Sequence, residues 1–302
     1  MRRAIAALLA ALTIAACAPS LGTFNALSRR DAARVAGDVP YGEGPRRHLD
    51  VYAPKAGASR GASGLPVIVF FYGGSWASGD RGDYAFAGDA LAGKGFVTVV
   101  PDYRVYPEVR FPDFIEDGAD AVKWTQENAA RYGGDPSRIV LVGHSAGAYI
   151  AAMLGLDAHY LNDAGVDARA IRGVAGLSGP YDFLPLDREA TQNAFGAAED
   201  PAATQPVNFA RADAPAFLLV WGEKDDLVRR RNIDGLSRAL RDAGAAPEVK
   251  LYPSLGHSET LLSFSRLLRG RAPVLDDVSA FAKRVTAEAV APPPVAPRPP
   301  PP

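Results

Sequence analysis

In the stretch "VLVGHSAGAYIAAML", Val140 to Leu154, an apolar run meets a small-residue helix at Gly143, His144, Ser145, Ala146 and Gly147. A serine set between two glycines at such a junction can occupy a sharp strand-to-helix turn, because small neighbours let the two backbones approach each other. The turn lifts the Ser145 hydroxyl clear of the backbone. It also aims the amide N–H of Ala146, in the first turn of the helix, at negative charge growing beside the serine. Both properties suit a nucleophile. The plain alternative is a glycine-rich turn, since a chance GxSxG occurs in about one chain in ten of this size. A nucleophilic Ser145 therefore needs a base, an orienting acid and a second oxyanion donor from elsewhere in the chain.

The chain has four histidines, His48, His144, His159 and His257. A serine on a strand–turn–helix elbow works with partners that follow it in the chain, acid first and histidine last. His48 and His144 precede Ser145, and His159 leaves almost no room for an acid before it. Elimination leaves His257, in "YPSLGHSE" after the last expected strand. The acid belongs on the loop after the preceding strand, where "LLVWGEKDDLV" offers Glu223, Asp225 and Asp226. Asp225 is preferred, against a turn aspartate capping the helix that begins near Leu227, a role Asp226 fills equally well. The glycine loop "FFYGGSWASGD", Phe70 to Asp80, follows a central strand, where a second oxyanion donor is required.

Buried strands are needed to hold these groups, and near-continuous apolar runs supply them. They are "PVIVFFYGG" from Pro66, "GFVTVVPDYR" from Gly95, "RIVLVG" from Arg138, "GVAGLSG" from Gly173, "AFLLVWG" from Ala216 and "EVKLYP" from Glu248. "HLDVYAP", His48 to Pro54, reads as an early edge strand ending at proline, and Leu21 to Arg47 as a mixed, turn-rich segment. Helical periodicity runs from Phe111 to Tyr132, and a last helix is expected from Val278 to Val290. The alternation of strand and helix implies an α/β protein with a mostly parallel central sheet and helices on both faces. Ligands gather at the carboxyl ends of such strands, and Gly74, Ser145, Asp225 and His257 all follow expected strands. Residues from about Tyr181 to Asp213 form a small cap insertion, with Phe183, Leu184, Leu186 and Phe195 as scattered apolar positions.

The 302 residues are 48% hydrophobic and 22% charged, which suits one large domain, and a formal net charge of −1 speaks against nucleic acid as a partner. The run Arg229, Arg230, Arg231 reads as a solvated helix face. At the N-terminus, Arg2 and Arg3 precede an apolar run from Ala4 to Ala16 that is too short for the roughly 20 residues of a membrane span. Residues 1–16 therefore read as a signal peptide. Its end, Ile14-Ala15-Ala16-Cys17, resembles the lipobox of bacterial lipoproteins, which implies a lipidated Cys17 as the mature N-terminus and attachment to the cell envelope. Ala18 after the cysteine favours, by the same resemblance, the outer membrane. The alternative is a soluble periplasmic or secreted protein cut after Ala18, which leaves Pro19 first, a poor residue in that place. Cys17 is the single cysteine, so no disulfide can form within the chain. A linker is expected over 17–40, the main domain over 41–288, and an extended proline-rich tail over 289–302.

Several motifs together resemble an α/β-hydrolase esterase: the Gly73-Gly74-Ser75-Trp76 loop, "PDYRVYPE" from Pro101, "YGGDPSRIVLVGHSAGAYIA", and the pair "GEKDDLV" and "GHSE". The likeness runs from about Tyr41 to about Lys283. It is similar to the hormone-sensitive-lipase-like carboxylesterases and, within them, to the isoprenylcysteine methylesterase and kynurenine formamidase branches. The resemblance implies the α/β-hydrolase fold, with Ser145 as nucleophile, Asp225 and His257 completing a triad, and the N–H groups of Gly74, Ser75 and Ala146 forming the oxyanion hole. Trp76, beside that loop, is expected to line and narrow the substrate pocket. The implied reaction is cleavage of small carboxylic esters through an acyl-enzyme. Alternatives on the same triad are an arylformamidase, an amidase or a methylesterase; a serine peptidase and a non-catalytic binding module are less favoured. No cofactor or metal is implied, for there is no Walker A loop, no HExxH and no Cys/His cluster with metal spacing. One departure stands out: the family usually has histidine before the two glycines, and this chain has Tyr72.

Overall fold

The computed structural model describes residues 21–27, 31–55 and 64–287. The expected signal segment 1–16, Cys17 and the proline-rich tail from 289 lie outside the described residues. In chain order the elements are α1 (Leu21–Leu27), β1 (Ala32–Pro40), β2 (His48–Pro54), β3 (Leu65–Phe71), α2 (Ala85–Gly93), β4 (Val97–Pro101) and α3 (Asp113–Asn128). There follow β5 (Gly134–His144), α4 (Ala146–Leu156), α5 (Ala158–Asp163), β6 (Ile171–Leu177), α6 (Glu189–Phe195) and β7 (Ala216–Gly222). The chain continues through α7 (Arg231–Asp242), β8 (Glu248–Tyr252), α8 (His257–Leu262) and α9 (Val274–Val285).

The described strands form one eight-stranded sheet in the order β1-β2-β4-β3-β5-β6-β7-β8. β1 and β2 are antiparallel to their neighbours, and every pair from β4 to β8 is parallel. Parallel strands in the middle of a sheet are covered on both faces, which is why Val67 to Phe71 of β3 and Val140 to His144 of β5 are buried at every position. Consecutive residues of β6 show the two layers: a methyl group at Gly173 would meet Phe281 of α9, while Val174 lies against Gly155 of α4. α4 is buried at all eleven of its residues, and its sequence is apolar all round. α9, by contrast, buries Val274, Leu275, Val278, Phe281 and Ala282 along one stripe.

Three expectations need correction. Ala32–Pro40, in the segment expected to be linker, is a strand of the sheet, so His48–Pro54 is flanked by β1 and is not the edge. β1 escapes pattern reading because a solvated edge strand buries little. Only Ala32 is buried, the register slips between Arg34 and Ala36 and again before Val39, and Arg34, Asp38 and the terminal Pro40 suit an edge that must not pair further. The helix expected over Phe111 to Tyr132 is α3 only to Asn128. A 3-10 turn over Ala129–Tyr132 then closes at Gly133 with φ of 84°. The last helix starts at Val274, directly after Pro273, and ends at Val285 rather than spanning Val278 to Val290.

Candidate active site

Between the end of β5 and the start of α4 there is one residue, Ser145, with φ 54° and ψ −122°. A residue with a Cβ rarely adopts a positive φ, and such strain persists only where the surroundings impose it. The two glycines show what imposes it. A Cβ on Gly143 would lie 2.2 Å from the Gly147 carbonyl oxygen, and one on Gly147 would lie 2.1 Å from the Phe71 carbonyl oxygen of β3. The GxSxG spacing is thus a demand of backbone approach. The Ser145 N–H donates to the Leu177 carbonyl at 2.9 Å, which fastens the elbow to β6. Ala146 is the first residue of α4, where an amide N–H has no acceptor within the helix.

His257, at the start of α8, brings Nε2 to 2.9 Å from Ser145 Oγ and Nδ1 to 2.8 Å from Asp225 Oδ2. A carboxylate only accepts, so Nδ1 carries the proton and Nε2 is free to accept from the serine hydroxyl. Of the three acids on the loop after β7, only Asp225 meets His257; Glu223 and Asp226 are exposed. The helix expected near Leu227 begins instead at Arg231, so Asp225 caps no helix but does hold the turn after β7. Its Oδ1 accepts the N–H groups of Leu227 at 3.0 Å and Val228 at 2.8 Å, leaving Oδ2 to the histidine. Burial pushes the Asp225 carboxyl up, but its hydrogen bonds from His257, Val228 and Ser178 outweigh that and hold it below the usual carboxylate range.

Chain order sets His144 aside as a base, yet the structure packs its ring against that of His257, with centroids 4.9 Å apart and the planes tilted by 49°. Its Nε2–H donates to the His257 backbone carbonyl at 3.0 Å, so it braces the loop that presents the histidine. Ser178, directly after β6, adopts φ 49° and is fully buried, sharing a hydrogen bond with Thr260 Oγ1 at 3.2 Å. Thr260 in turn donates to the His257 carbonyl at 2.8 Å. "GLSG" at a strand's carboxyl end was the available signal for Ser178; His144 had none beyond its place beside Ser145.

Burial first, and then the neighbouring His257, lower the His144 pKa to about 3. An unfolded histidine binds a proton below about 6.5. Between those values the unfolded state holds more protons, so stability must rise with pH and level off above the unfolded value. From this one group we expect a loss of about 2 kcal/mol between pH 7.5 and pH 5. His144→Gln, whose amide can still donate to the carbonyl, should show a shallower dependence. Denaturant melts at the two pH values decide the matter, and equal slopes in the two proteins would refute it.

The glycine loop after β3 runs through Gly74, Ser75 and Trp76 with φ of 144°, 53° and 57°. Tyr72, where a histidine is usual, holds its root. Its hydroxyl donates to Asp102 Oδ1 at 2.8 Å, and its ring stacks between Tyr84 and Tyr103 at centroid distances of 5.0 and 4.8 Å. The Tyr103 hydroxyl donates to the Tyr72 carbonyl at 2.8 Å. A phenol long enough to reach Asp102 thus ties the loop to the end of β4. Trp76 is 4% exposed and packs edge-on against Tyr149 and Phe195, while Phe183 of the cap lies 6.1 Å away. Ser75, Trp76 and Ser145 line one cavity of about 400 Å³, walled by Pro180, Phe183, Leu227 and Val228.

A mostly parallel sheet with a strained serine at the β5–α4 elbow, and histidine and aspartate partners on loops at the carboxyl ends of later strands, defines an α/β-hydrolase. Solved structures agree on the fold. A truncated carbohydrate esterase from gut microbiota matches with a TM-score of 0.74 at 21% identity, over 86% of this chain and 99% of that one. An inhibited esterase B from Lactobacillus rhamnosis matches with a TM-score of 0.75 at 19% identity, over 88% and 91%. A family model described as BD-FAE matches residues 49–240, more than half of the chain, so this protein belongs to the BD-FAE family. Among curated relatives, a probable isoprenylcysteine alpha-carbonyl methylesterase of Oryza sativa subsp. japonica is 31% identical over 82% of this chain and 62% of its own length. The esterase LipQ of Mycobacterium tuberculosis is 31% identical over 84% and 63%. The chain thus spans less than two thirds of the length of these relatives.

Proposed function

We propose that this protein is a carboxylesterase that cleaves small carboxylic esters through an acyl-enzyme on Ser145. The observation that carries the reading is the relay of 2.9 and 2.8 Å from Ser145 through His257 to Asp225, opening on the floor of the cavity. As Ser145 Oγ attacks the ester carbonyl, His257 Nε2 takes its proton, and Asp225 holds the resulting imidazolium. The N–H groups of Gly74, Ser75 and Ala146 receive the oxyanion; losing one such donor typically costs roughly 100- to 1,000-fold in rate. The tetrahedral species collapses, the C–O bond breaks, and His257 returns the proton to the departing alcohol. Water then repeats the sequence on the acyl-enzyme. Relatives named as esterases and methylesterases support the same chemistry.

The cavity of about 400 Å³, narrowed by Trp76 and the cap residue Phe183, suits short acyl or small aryl groups. Rates on p-nitrophenyl acetate, butyrate and palmitate test this. We expect kcat/KM for acetate or butyrate to exceed that for palmitate at least about tenfold, since a chain that finds no apolar wall forfeits about 0.8 kcal/mol per CH₂. A preference for palmitate would overturn the short-chain reading, and no hydrolysis of any of them would overturn the esterase reading.

We also propose that Cys17 is lipidated and tethers the protein to the bacterial envelope, on the strength of Ile14-Ala15-Ala16-Cys17 after an apolar segment. More than one acyl chain suffices for stable anchoring. The mature protein is then expected in the membrane fraction with the mass of a lipidated N-terminal cysteine. An unmodified N-terminus in the soluble fraction contradicts it.

A further inference from the structure

The cavity over Ser145 carries more positive charge than ester cleavage requires. Arg188, Arg229 and Arg231 all line it, against the carboxylates of Asp187 and Glu189. Arg229 and Arg231 belong to the run expected to be a solvated helix face. They are exposed, but they stand at the mouth of this cavity. Two of the three cations are engaged: Arg229 pairs with Asp187 at 3.3 Å, and Arg231 Nη2 donates to the Leu184 carbonyl at 2.8 Å. Arg188 is not. Among the described residues no carboxylate, carbonyl or aromatic ring meets its guanidinium, although the side chain is half-buried. Its backbone is held, the carbonyl accepting from Gln192 N–H at 2.9 Å and Thr191 Oγ1 at 2.8 Å. Asn232, another polar group of the wall, accepts the amides of Tyr181 and Asp182 at Oδ1 and donates from Nδ2 to the carbonyl of Arg229. The remaining charge, Glu189, is exposed at the first turn of α6.

We propose that the substrates of this site are esters carrying a second, free carboxylate a few atoms from the scissile carbonyl, and that Arg188 is the specificity-determining residue that binds it. The proposal rests on the esterase reading. A guanidinium offers a planar fork that matches a carboxylate with two parallel N–H···O bonds, and such charge-assisted pairs are about twice as strong as neutral ones. The apolar wall of Trp76, Phe183 and Leu227 takes the carbon chain between the two carboxyl groups. The ester end meets Ser145 and the acid end meets Arg188.

The test compares kcat/KM for ethyl hydrogen succinate and ethyl butyrate, which share a four-carbon acyl chain, by continuous titration of released acid. Wild type, Arg188→Gln and Arg188→Glu are measured, each with a thermal melt. The succinate-to-butyrate ratio is expected to fall at least about tenfold in Arg188→Gln and further in Arg188→Glu. In the wild type it should also fall as sodium chloride is raised, because the contact is half-exposed and screened, and this arm needs no variant to fold. A ratio that stays within twofold in both variants and is flat with salt overturns the proposal. If ethyl butyrate is still hydrolysed in that case, the esterase reading stands alone. If the wild type hydrolyses neither ester and a fluorophosphonate fails to label Ser145, the esterase reading falls first.

Discussion

Ser145→Ala is expected to lower ester hydrolysis at least about 1,000-fold while the protein stays folded. The substitution removes one oxygen whose partner is His257 Nε2 at 2.9 Å, and it leaves in place a side chain with the same Cβ at the same φ of 54°. The elbow therefore keeps its strain and its hydrogen bond to Leu177. His257→Ala should cost about as much, and the double variant little more, because residues that act as a unit are not additive. Asp225→Asn should be milder. The serine would keep its base, though the amide that replaces Oδ2 no longer enforces the proton on Nδ1. Initial rates on p-nitrophenyl butyrate, paired with melting curves, check the series; more than a tenth of wild-type activity in Ser145→Ala would remove the serine from its assigned role.

Gly147→Ala is expected to destabilise the protein by about 3 kcal/mol or more, and to abolish activity in whatever fraction folds. The added Cβ would sit 2.1 Å from the Phe71 carbonyl oxygen and 2.5 Å from that of Tyr72. Neither atom is the end of a flexible side chain. Both belong to the backbone where β3 runs into the glycine loop, so relief requires α4 to retreat from the sheet. That movement also shifts Ala146 N–H away from Ser145 and away from the loop of Gly74 and Ser75. Denaturant unfolding of the variant measures the first effect. A variant as stable and as active as the wild type would mean that helix and strand do not approach as closely as this geometry requires.

The contrast between what could and could not be read from the chain follows from how local each cause is. The Gly143–Ser145–Gly147 elbow was legible because the glycines that allow the approach lie within five residues of one another and mark it, although the backbone that Gly147 approaches belongs to β3. The central strands were legible for a related reason: a parallel strand covered on both faces must be apolar at nearly every position, and β3, β7 and the Ile139–Gly143 half of β5 are. His257 could be reached by chain order alone. β1 could not, because an edge strand leaves most of its side chains in water and has no apolar period to display.

The choice among neighbouring acids belonged to the tertiary structure. Asp225 and Asp226 are adjacent and chemically identical, and only the path of the loop after β7 turns one carboxylate toward His257 and the other to solvent. His144, Ser178 and Thr260 gain their places around the histidine because β5, β6 and α8, distant in sequence, end at the same edge of the sheet. Tyr72 illustrates the same limit. Beside two glycines it reads as a missing histidine, and only the tertiary structure brings Asp102, just past the neighbouring β4, and Arg46 to its hydroxyl. Arg229 and Arg231 read as surface charge, and by exposure they are. What gathers them with Arg188 around the cavity that Ser145 lines is the meeting of the segment after β6 with the segment after β7, beside a packing of Phe183 and Phe195 on Trp76 that no single segment encodes. Sequence by itself marked the backbone of the site, since the glycines that permit close approach and the apolar residues of a buried strand are displayed position by position along the chain. Tertiary structure decided which polar groups face one another, since a hydrogen bond depends on ångström distances between residues that the chain holds far apart.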